Sequence, residues 1–136
     1  MTNPLEFSKK SEQILRELSF ELTRSNENSW AKSFEWTTDA MKFGIEFDRM
    51  YYNCYVLPHR KPIESLYLIK LLRFLKNDPN FYAQELIIAN LSYTLPINEY
   101  VELFYKNYDL VKDFVSGFSK EKFDSYNKYI VQYNGI

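Results

Sequence analysis

The chain has 136 residues, with seventeen basic and eighteen acidic side chains and a net charge of -1, so a strongly basic nucleic-acid binder and an acidic tail are both disfavoured. One Cys and one His exclude a disulfide framework, a zinc site built from several Cys or His, and chemistry that needs two imidazoles. Twelve Tyr, eleven Phe and two Trp against three Gly follow the skew of AT-rich codons, so placement of the aromatics carries more information than their number.

Asn3-Pro4-Leu5-Glu6 reads as a helix start, with Asn3 to cap, Pro4 at the first helical position and Glu6 to close a capping box. Phe7, Ser11, Ile14, Leu15, Leu18 and Leu22 then recur at helical spacing. Ser19 to Arg24 also alternates, which leaves helix and fourth strand both open until the polar run Ser25 to Ser29 ends the element.

From Trp30 to Leu57 the period drops to two. Trp30, Phe34 and Trp36 alternate with Ala31, Ser33 and Glu35; Thr38-Asp39-Ala40 makes a turn; Phe43, Ile45 and Phe47 alternate with Lys42, Gly44, Glu46 and Asp48. A third run sets Tyr52, Cys54 and Val56 against Tyr51, Asn53 and Tyr55. Alternate strand residues face opposite sides, so this pattern predicts an antiparallel meander of three or four strands with one covered face.

Pro58-His59-Arg60-Lys61-Pro62 closes the sheet, and everything after it reads helical. Ile63 to Lys76 is apolar on most sides and stops at Asp78-Pro79. A second helix runs from about Asn80 to Tyr93, and a third from Pro96 to Gly117 on the stripe Ile97, Val101, Phe104, Tyr108, Val111 and Val115. Ser119 caps a last helix carrying Phe123, Tyr126, Ile130 and Tyr133. The expected fold class is α+β in one domain, residues 1–136: an N-terminal helix, the meander, and a C-terminal helical bundle packed on one sheet face. Trp30, Phe34, Trp36, Phe43, Phe47, Phe74 and Phe104 fall to the core.

The chemical motifs are sparse. Gly44, Gly117 and Gly135 lie too far apart to cradle a phosphate. Ser-x-x-Lys occurs at Ser29/Lys32, Ser119/Lys122 and Ser125/Lys128, which shows how little that pattern selects. His59 sits in a basic, proline-bracketed loop, and Cys54 alternates with apolar partners as a small core residue does. No cofactor, metal or nucleic acid is expected. Met1-Thr2-Asn3-Pro4 lacks a basic-then-apolar leader, and Leu66 to Leu75 is broken by Lys70 and Arg73, so a cytoplasmic location without a membrane span is expected.

The remaining pattern is one strand face. Glu35, Glu46, Asp48, Tyr51, Asn53 and Tyr55 share it in simple alternation. Tyr offers rigid contact area with a polar tip, and carboxylates steer a basic partner, so this set is the candidate partner-binding surface. Tyr100, Tyr105 and Asp109, off the helical stripe, form a second candidate.

In size, in its order of helix, meander and helices, and in the run Phe43-Gly44-Ile45-Glu46-Phe47-Asp48-Arg49, the chain resembles the small immunity proteins of bacterial polymorphic or contact-dependent toxin systems. That resemblance implies stoichiometric binding of a cognate toxin domain without catalysis. A regulatory or mobile-element interaction module, and a small hydrolase using His59 or Cys54, are the alternatives.

Overall fold

The computed structural model describes residues 8–27, 31–48, 51–58, 66–81 and 97–134. The expected helix start at Asn3, the strand residue Trp30, the loop around His59 and the helix over residues 80–93 lie outside them, apart from Asn80 and Phe81.

Helix α1 (Lys9–Glu17) opens on Ser8, whose backbone is extended and whose hydroxyl accepts the Ser11 N–H at 3.0 Å. It ends where the sequence left helix and strand undecided. Ser19 takes a left-handed backbone, φ 67°; its N–H donates to the Arg16 carbonyl and the Phe20 N–H to that of Leu15. This pair of bonds is a Schellman closure, with Ser standing where Gly is usual. Phe20 and Leu15 are both buried beneath it, so the chain leaves the helix directly into a strand.

Five strands follow: β1 (Glu21–Glu27), β2 (Ala31–Thr37), β3 (Met41–Asp48), β4 (Tyr51–Pro58) and β5 (Leu66–Tyr67). They lie in sequence order and every neighbouring pair is antiparallel. Thr38 builds the β2–β3 turn, its hydroxyl accepting the N–H groups of Ala40 and Met41 at 3.1 and 3.2 Å. Two expectations are corrected here. Pro58 belongs to β4 and does not close the sheet, and Leu66–Tyr67, expected within a helix, pairs with Val56 and Tyr55 as β5. The free edge of β4 offers backbone partners, Leu66 is fully buried there, and the extended Tyr67 then serves as the N-cap residue of the next helix.

Helix α2 (Leu68–Lys76) stops at Asn77, left-handed at φ 50°, with a second Schellman closure from Asn77 and Asp78 to Phe74 and Arg73. The expected helix from Pro96 to Gly117 is two: α3 (Ile97–Lys106) and α4 (Tyr108–Ser116). Between them Asn107 turns its side-chain amide onto the Leu103 carbonyl at 2.9 Å, while its own N–H reaches only three residues back, to Phe104. A side chain that competes for helix carbonyls interrupts the ladder. Helix α5 (Lys120–Asn134) starts at Ser119, whose hydroxyl accepts the Lys122 N–H at 3.3 Å.

Helices and sheet meet through rings on one sheet face. Phe43 and Phe104 stack at 4.4 Å, Phe20 meets Phe104 edge-on at 5.7 Å, and Trp36 leans on Phe43 at 6.0 Å. Ile45, Cys54 and Val56 are buried in the same layer. Phe34 belongs to this core as expected, while Phe47 and Phe74 pack at its margin. Asn98 ties α1 to α3, its side-chain oxygen accepting from the Ser8 N–H at 3.0 Å and the Ser11 hydroxyl at 2.7 Å. No helix among the described residues is long and apolar enough to cross a membrane.

Candidate functional site

The register of the ladders sets rows of residues across the opposite sheet face. Arg24 lies opposite Glu35, Glu35 opposite Gly44, Gly44 opposite Tyr55, and Tyr55 opposite Tyr67, one position from each of the five strands. The next row is Asn26, Ser33, Glu46 and Asn53. A third joins Ala31, Asp48 and Tyr51 through the backbone. The six positions singled out from the sequence therefore fall in three adjacent rows of the register, and Glu35, Glu46, Asn53 and Tyr55 lie on the face away from the rings that meet α3 and α4.

Two of them do not stand in solvent as a docking surface requires. Glu35 and Tyr55 are each only 6% exposed. The Tyr55 phenol donates to Oε2 of Glu35 at 2.6 Å, a short bond to a carboxylate. Gly44 makes this possible. It lies between the two in the row, and a Cβ there would fall inside the Tyr55 ring. The ring can lie flat on bare backbone and reach the neighbouring strand only because that position has no side chain. Burial first, then the hydrogen bond and charge of Glu35 and the charge of Glu46, push the Tyr55 phenol well above its ordinary ionisation range; Arg24 opposes this more weakly.

Around the closed pair is a shallow polar depression of about 380 Å³, with Arg24, Asn26, Ser33, Glu46 and Tyr55 on its walls. Strand residues alone line it among the described residues. Glu46 and Asn53 are half-buried beside it, and the backbone register carries positions 48 and 51 along the same end of the sheet. The arrangement is a buried Glu35–Tyr55 pair with a polar rim beside it.

Residues considered for chemistry are dispersed. Cys54 sits opposite Ile45 on the core face, buried, and burial pushes its thiol up, away from the reactive thiolate. His59 lies outside the described residues. Among the described residues no three His, Cys, Asp or Glu side chains are grouped to hold a metal ion. Ser119 spends its hydroxyl on the α5 cap, and Ser125 and Lys128 are exposed on that helix. The second candidate surface is corrected in part: Tyr100 is buried and its hydroxyl donates to the Tyr52 carbonyl at 3.4 Å, while Tyr105 and Asp109 are exposed.

Sequence reasoning missed Arg24, Asn26 and the part played by Gly44. The first two were hidden because β1 was unsettled. Gly44 did carry a signal, since a lone glycine inside a strand marks a close approach of another group. Comparison with known proteins adds nothing to this site: no protein-family model, curated protein or solved structure matches the chain.

Proposed function

We propose that the chain is a non-enzymatic binding protein of the cytoplasm, an immunity protein that neutralises a cognate bacterial toxin domain by docking it on the sheet face opposite the ring layer. One observation carries this reading. Two rows of the sheet, one through Arg24, Glu35 and Tyr55 and one through Asn26, Ser33, Glu46 and Asn53, present polar and aromatic residues on the face away from the core, with the buried Glu35–Tyr55 bond crossing the strands between. A preorganised surface loses little conformational entropy on binding, which favours tight stoichiometric association. The carboxylates of Glu46 and Asp48 favour a toxin surface with Lys or Arg at its centre.

The test starts from the neighbouring reading frames: a toxin-like domain found there is titrated with this chain and growth rescue is measured in parallel, and absence of any such domain counts against the reading. Combining Glu46→Lys, Asp48→Lys and Tyr51→Ala should weaken binding at least about tenfold, roughly 1.4 kcal/mol, and abolish rescue while thermal unfolding stays cooperative. Unchanged affinity in that triple variant removes the face from consideration.

A further inference from the structure

We draw no further inference here: the strongest candidate, the groove of about 480 Å³ between α1 and α3 that is lined by Ile14 and the half-exposed Tyr105, sets Lys10 and Lys106 against Glu17 and Glu102 and so favours neither sign of charge, and nothing in the structure shows what covers it.

Discussion

Replacing Tyr55 by Phe removes one hydroxyl from a site where little else changes, because the ring still lies on Gly44. The carboxylate that loses its donor is Glu35, 6% exposed, from a bond of 2.6 Å. Hydrogen bonds to charged groups contribute about 1.5–3 kcal/mol, and a buried acceptor stranded by deletion of its donor incurs its desolvation cost as well. We expect Tyr55→Phe to cost about 2 kcal/mol. With a urea slope of about 1–3 kcal/mol/M, the unfolding midpoint should fall by roughly 1 M, from a total stability of about 5–15 kcal/mol. Adding Glu35→Leu should recover much of the loss, since removing both partners leaves nothing stranded. Alkaline titration supplies an independent readout. The phenol is held above its ordinary value of 10.0, chiefly by burial and then by Glu35. Below pH 10 its contribution is whole; as pH rises from 10 through the folded-state value, the unfolded chain releases a proton the folded chain keeps, and stability falls. The Phe variant should show a shallower alkaline decline than the parent. A cost below about 0.5 kcal/mol, the ordinary surface range, together with additive behaviour in the double variant, would refute the pair as a structural element.

Gly44→Ala should destabilise by about 1–3 kcal/mol through overpacking against Tyr55, and its effect should shrink in a Tyr55→Ala background, read by the same urea unfolding. Ser19→Gly should raise stability by about 0.5 kcal/mol, because a residue at φ 67° closing a Schellman motif is relieved of its Cβ; thermal unfolding measures the gain, and Ser19→Val should lower it. Cys54 should resist a thiol reagent at pH 8 in the folded chain and react at once in denaturant, since burial holds the thiol up; rapid labelling of the folded protein would contradict its place in the core.

Much of the fold was legible because it rests on local periodicity. Alternation from Phe34 to Val56 identified the covered face of β2, β3 and β4, since a one-residue slip would have turned every ring outward. The stripes of α1 and α5 and the cap at Ser119 were equally plain. What escaped was decided between elements. Asn107 broke a continuous apolar stripe through its own side-chain hydrogen bond, and Leu66–Tyr67 became a strand because β4 had an edge to offer.

The candidate site divides in the same way. Strand alternation alone put Glu35, Glu46, Asn53 and Tyr55 on one face, because side chains in a strand point by parity. Only the tertiary structure decided which of them meets solvent. Register placed Gly44 directly between Glu35 and Tyr55, and the missing Cβ let the phenol cross a strand to its carboxylate. Parity is a property of each strand by itself. Burial depends on what the neighbouring strand sets opposite it, so the polar rim of the depression falls to Arg24, Asn26 and Glu46, while Glu35 and Tyr55, expected on the surface, are buried against each other.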